Sequence, residues 1–174
     1  YSSAASDVYK RQGLIVVNVN PLYTPRELEH QLRDSGAKAI LIFENSAHVL
    51  SAVIENTEIE HVIITKIGDF LGPIKGSLMN FVVKYLKRMV PRYSLPGKID
   101  FKSTLGRPVT DLDESPISID DLAFLQYTGA TTGLSKGAML SHCYVIASLV
   151  LLESMLVDLI DEEGSDIYIN ARPI

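Results

Sequence analysis

Apolar residues fall in short runs near the start of the chain. Residues 14–19 are rich in Val, Leu and Ile, as a strand buried on both faces requires. Asn20, Pro21, Leu22 and Tyr23 read as a turn. Thr24, Pro25 and Glu27 then form a helix start: a capping hydroxyl, a proline at the first helical position and an acid three residues after the cap. Leu28 and Leu32 share one face, and Gly36 stands where a left-handed cap is expected. Residues 39–43 predict a second strand. Asn45 or Ser46 starts a second helix with Val49, Leu50, Val53 and Ile54 on one face, and residues 61–65 predict a third strand. Strand, helix, strand, helix, strand at this spacing predicts an α/β fold with a parallel βαβαβ sheet.

The period then changes. Gly68, Gly72, Pro73 and Gly76 mark residues 66–76 as a loop. Residues 77–90 predict an amphipathic helix with Leu78, Phe81, Val82, Tyr85 and Met89 on one face. Lys84, Lys87 and Arg88 lie opposite, and Pro91 stops it. Residues 93–118 carry no sustained period. Residues 122–127 predict a fourth strand, followed by a Gly/Thr-rich loop, a helix over about 141–160 and a fifth strand over 166–171. Residues 1–12 are polar, without a core-forming period, and read as a tail or scar. The apolar C-terminal strand leaves an incomplete domain over residues 13–174 as the expectation.

Composition narrows the function classes. The 174 residues are 47% hydrophobic and 21% charged, so a disordered chain is excluded. The single cysteine cannot form an internal disulfide, and no Cys/His spacing suits zinc. The net charge of −5 argues against nucleic acid as a partner. Lys75, Lys84, Lys87, Arg88, Arg92 and Lys98 nevertheless cluster with no acid among them. That basic stretch with its apolar face, residues 77–90, suits peripheral contact with an anionic membrane as well as ordinary packing on a sheet. The most apolar long stretch, residues 143–160, contains Glu153 and Asp158 and does not suit a bilayer span.

The candidate chemistry lies after the fourth strand. Tyr127, Thr128, Gly129, Ala130, Thr131, Thr132, Gly133, Leu134, Ser135, Lys136 and Gly137 place three glycines at intervals of four, with threonines between and beside them. Glycines let backbone N–H groups approach an anion closely, hydroxyls add donors and Lys136 adds a positive charge. The spacing is not that of the common P-loop, in which the lysine directly follows a glycine and precedes Ser or Thr. Residue chemistry alone leaves two readings, a phosphate cradle and a plain glycine-rich surface loop. Ser141 and His142 are adjacent at a helix start with no oriented acid, so Ser141 reads as a cap rather than a nucleophile. His30, His48 and His61 are isolated, and Cys143 reads as a small helix residue.

The loop resembles the phosphate-binding loop of the adenylate-forming ligases, the acyl-CoA synthetase and luciferase-like group. Thr128, Gly129, Thr131, Thr132, Gly133, Lys136 and Gly137 match that pattern. Ala130 stands where the family has glycine, Ser135 where many relatives have proline, and Cys143 where an arginine is typical. Residues 17–28, 80–85, 87–91 and 122–129 resemble the bacterial long-chain fatty-acid–CoA ligases more than the luciferases. The resemblance runs from about residue 13 to 140, is weak over 141–166 and returns at Pro173.

The resemblance implies an N-terminal part of an AMP-binding domain that uses ATP and, as co-substrate, coenzyme A to activate a fatty acid. It implies Mg2+ held by residues downstream of this chain, as are the catalytic residues and a small C-terminal domain. It places the enzyme in the cytoplasm, at or near the inner face of the membrane. It implies that this stretch alone completes neither half-reaction. Two alternatives stand beside it: a ligase for another carboxylate, and a degenerate, non-catalytic nucleotide-binding module, to which Ala130 points.

Overall fold

The computed structural model describes residues 13–105, 116–128 and 135–156. β1 (Val16–Asn18) leads through a turn, in which Tyr23 N donates to Asn20 O, into α1 (Pro25–Ser35). The cap is the one the sequence encodes. Glu27 N donates to Thr24 Oγ1, and Thr24 N donates to Glu27 Oε2 at 2.8 Å, so two orphan donors are satisfied reciprocally. Gly36 ends the helix at φ +61°, a left-handed conformation that a Cβ strains.

β2 (Ala39–Phe43) and β3 (His61–Thr65) pair in parallel, Ala39 opposite His61 through Phe43 opposite Thr65. A two-residue strand, β4 (Ile99–Asp100), adds to β3. Between β2 and β3 lies α2 (Ala47–Ser51), shorter than the helix predicted there. Ser46 is its first flanking residue, but the Ser46 hydroxyl donates to Pro21 O at 3.2 Å instead of capping. A single turn of 3-10 helix, Ile54–Asn56, follows. Leu28, Leu32, Ile40, Leu50, Val53, Val62, Ile64 and Leu95 form the buried core, with Leu32 and Leu50 fully enclosed. Each such side chain contributes roughly 1.5–3 kcal/mol by leaving water.

β5 (Leu122–Thr128) and β6 (Lys136–Ser141) form an antiparallel pair, and β1 runs parallel to β5 on its other side. The class is α/β with parallel pairing, as expected, but the first three strands divide between two sheets. One has the order β1-β5-β6, the other β2-β3-β4. The alternation of strand and helix fixes parallel direction; it carries no information about which distant strand, here β5, recruits β1. β6 was not anticipated, because its Lys-Gly-Ala-Met-Leu-Ser sequence has little β character of its own and is held by pairing to β5.

The predicted helix over 77–90 begins earlier and ends earlier. α3 (Pro73–Phe81) starts at Pro73 behind Gly72 and continues as a π-helical turn, Val82–Leu86, in which Lys87 N donates to Val82 O. Arg88 at φ +50° terminates it three residues before Pro91. Its apolar side does not pack on the sheet. Leu78, Phe81 and Tyr85 are more than half exposed, and Lys84, itself exposed, reaches the buried Glu44 Oε1 with its Nζ at 3.1 Å. Within the connection read as irregular, α4 (Phe101–Thr104) forms, capped by Asp100. α5 (His142–Leu156) matches the described part of the helix predicted from 141. The strand expected over 166–171 lies outside the described residues.

Candidate functional site

β1 and β5 run in parallel, so their carboxyl ends, at Asn18 and Thr128, lie on the same side of the sheet. Ligands of open α/β sheets characteristically bind outside such ends. β5 there gives way to the glycine-rich loop, and β6 returns from it. Thr128 is the last residue of β5 and pairs with Lys136, the first of β6. Both are exposed, and Lys136 forms no ion pair among the described residues. Gly137 pairs with Tyr127. Three of the predicted site residues, Thr128, Lys136 and Gly137, are thus brought together at the mouth of one hairpin. Gly129, Thr131, Thr132 and Gly133 lie outside the described residues, as does Ala130.

Gly137 sits close under the Tyr127 ring. A Cβ there stands 3.0 Å from Tyr127 Cζ, inside van der Waals contact, because the ring lies across it. The Tyr127 ring is buried, and its hydroxyl donates to Asp34 Oδ2 at 2.6 Å. Burial first, and then the hydrogen bond to the Asp34 carboxylate, push the phenol above its ordinary value, so the hydroxyl is held as a donor. On the other stem, His30 Nε2 donates to Ser135 O at 3.0 Å. The acceptor is a carbonyl, so Nε2 carries the proton.

In the sequence alone, His30 reads as an isolated histidine and Tyr127 as the start of the loop motif, and nothing there gives Asp34 a role. The four-residue spacing of His30 and Asp34 on α1 was legible. Their targets were not, because the contacts span 105 and 93 residues. Ser141 lies at the start of α5, with a long 3.5 Å bond from Tyr144 N, as a cap and not a nucleophile. His142 N donates to Asp121 O. Among the described residues no group of three His, Cys, Asp or Glu side chains could hold a metal ion. No described helix is long and apolar enough to cross a membrane.

Residues 10–174 match the family described as AMP-binding enzyme. The long-chain-fatty-acid–CoA ligase of Salmonella typhimurium is 52% identical over 165 residues, covering 94% of this chain and 29% of that protein. That of Escherichia coli O157:H7 gives the same identity and coverage. The long-chain-fatty-acid–CoA ligase of Bacillus subtilis is 32% identical over 168 residues. The chain therefore spans 29% of the length of each of these three relatives. Among solved structures, a red-emitting luciferase from Phrixothrix hirtus superposes with a TM-score of 0.57 at 18% identity. It covers 86% of this chain and 32% of the luciferase. The anthranilate CoA ligase AuaEII in complex with anthranoyl-AMP gives 0.53 at 21% identity, over 74% of this chain and 20% of the ligase. At those identities the likeness is one of fold.

Proposed function

Because the chain belongs to the AMP-binding enzyme family, we propose that it is the N-terminal part of the AMP-binding domain of a long-chain fatty-acid–CoA ligase. The observation that carries this reading is 52% identity over 94% of the chain to ligases of that name, joined to the exposed Thr128–Lys136 pair at the carboxyl end of β5. In the proposed reaction a fatty acid carboxylate attacks the α-phosphorus of ATP, giving an acyl-adenylate and pyrophosphate. The thiol of coenzyme A then displaces AMP to form the thioester.

The part assigned to this stretch is binding and charge stabilisation. Thr128, Thr131 and Thr132 supply hydroxyl donors to the β- and γ-phosphates. Gly129, Gly133 and Gly137 let the backbone approach them, and Lys136 offsets charge that grows on the departing pyrophosphate. Among the described residues no group of three His, Cys, Asp or Glu side chains could hold Mg2+; the metal ligands and the catalytic residues are assigned to other parts of the full-length ligase. The assigned location is the cytoplasm. The exposed apolar side of α3 supports a peripheral contact with the inner membrane surface.

Calorimetric titration with Mg-ATP tests the assignment. Loss of a charge-assisted contact of ~1.5–3 kcal/mol in Lys136→Ala weakens binding roughly 10- to 100-fold. Ala130→Gly tightens binding if the backbone at 130 needs a positive φ. Equal affinity in the parent and Lys136→Ala removes the lysine from the phosphate site. Absence of binding in both the parent and Ala130→Gly removes ATP binding from this stretch taken by itself.

A further inference from the structure

One turn of α1 reaches both stems of the hairpin. His30 Nε2 donates to Ser135 O at 3.0 Å, immediately before β6 begins. Asp34, four residues later, accepts from the Tyr127 hydroxyl at 2.6 Å, immediately before β5 ends. Tyr127 is only 7% exposed and its ring lies against Gly137, so the second stem touches the first through that ring as well. Gln31, between the two, is fully buried. Its Nε2 donates to Asn18 O at 2.8 Å, and Asn18 Nδ2 donates in turn to Gln126 Oε1 at 3.0 Å. The helix is therefore tied to β1, and β1 to β5, by the same turn that holds the hairpin.

We infer that His30 and Asp34, acting through Ser135 and Tyr127, are positioning residues that set the separation and tilt of the two stems. They thereby set how Thr128 and Lys136, paired at the ends of the two stems, are presented to a triphosphate. A loop whose donors must converge on an anion loses conformational entropy when it binds, and fixing both stems beforehand reduces that loss. Neither residue contacts the ligand. The inference rests on the phosphate-gripping reading of the loop, and the test below separates the two.

The 174-residue chain is prepared as the parent, His30→Ala, His30→Gln and Tyr127→Phe. Backbone amide hydrogen exchange is followed across residues 122–141 and, as an internal control, across β2 and β3. Mg-ATP and AMP affinities are measured alongside. Exchange at the β5–β6 stems is expected to rise roughly five- to tenfold in His30→Ala and Tyr127→Phe, with β2 and β3 unchanged. His30→Gln, whose amide N–H reaches the same carbonyl, is expected to restore protection. The Mg-ATP dissociation constant is expected to rise by a similar factor, while that for AMP, which lacks the β- and γ-phosphates, stays the same.

Unchanged exchange at the stems overturns the inference. A rise that extends equally into β2 and β3 also overturns it, since that marks general destabilisation. Loosened stems with Mg-ATP affinity unaffected by the brace variants overturn the link to the triphosphate. If Lys136→Ala also leaves that affinity unaltered, the phosphate reading of the loop fails with it, and the brace remains as architecture only.

Discussion

Tyr127 shows how much one side chain can organise. Its ring fills the space a Cβ on Gly137 would occupy, and its hydroxyl is spent on Asp34. Gly137→Ala must push the ring aside and strain that bond. The expected loss is about 1–3 kcal/mol, read from urea denaturation. Tyr127→Ala made together with it relieves the clash, so the double variant should lose less than the sum of the two single variants. Strict additivity would show that the ring does not rest on Gly137. The same residue gives a physical reason for the glycine at the end of the motif: it serves the β-pair at Tyr127, whatever the loop grips.

At the scale of elements, α1 and α3 contrast. Everything that builds α1 is written within a dozen residues. Thr24 and Glu27 cap it, Pro25 opens it, Leu28 and Leu32 anchor it and Gly36 closes it, and each was readable because each acts locally. α3 was misplaced because a non-local contact bears on it. Lys84 reaches the buried Glu44 just beyond β2, while Leu78, Phe81 and Tyr85 remain more than half exposed. The site divides the same way. The Gly/Thr-rich pattern of the loop is a local motif, whereas the stems' attachments to His30 and Asp34 arise only when residues some hundred positions apart meet. β6 and the split into two sheets belong with these, since no period of 2 or 3.6 encodes a distant partner.

The outward apolar side of α3 gives the membrane proposal a sharper test. Charge reversal at Lys75, Lys87 and Arg88 should weaken sedimentation with phosphatidylglycerol-containing liposomes, and Leu78→Ser with Phe81→Ser should weaken it further and also on neutral lipid. Lys84 is excluded because it serves Glu44. Binding that none of these changes alters would assign the face to protein packing.

At the scale of the molecule, ion pairs gather at the carboxyl end of β2-β3-β4. Lys66 Nζ lies 2.6 Å from Asp100 Oδ2, and that hydrogen bond holds the Asp100 carboxyl below its ordinary 3.8. A depressed carboxyl stabilises the fold above its unfolded value, and that contribution is lost as pH falls through the lower folded value. The melting temperature should therefore drop as pH falls below about 4, and Lys66→Met should make that acid limb shallower. Lys66 and Lys84 have the opposite sign. Both are raised above 10.5 by their carboxylate partners, so their contribution is intact below that value and fades as pH climbs beyond it. An acid limb identical in Lys66→Met would remove the Asp100 pair from the balance. Both partners are partly exposed, so the effect is modest.

The pairing of β1 with β5 also has a consequence in time. Asn18 and Gln126, which face each other in that register, are 108 residues apart, while β2 and β3 are separated by a short crossover. At ribosomal speeds of about 5–20 residues per second, β1 waits roughly 5–20 s for its partner to be made. Meanwhile the β2-β3 unit with α1 and α2 already has its core. Contacts so distant in sequence form late during refolding as well. Pulsed hydrogen exchange should find Ile40–Ile42 and Val62–Ile64 protected before Val16–Asn18. Simultaneous protection would mean that the two sheets fold as one. The β1-β5-β6 sheet, which carries the proposed phosphate loop, is thus the last to be assembled, on a foundation laid down before its own strands can meet.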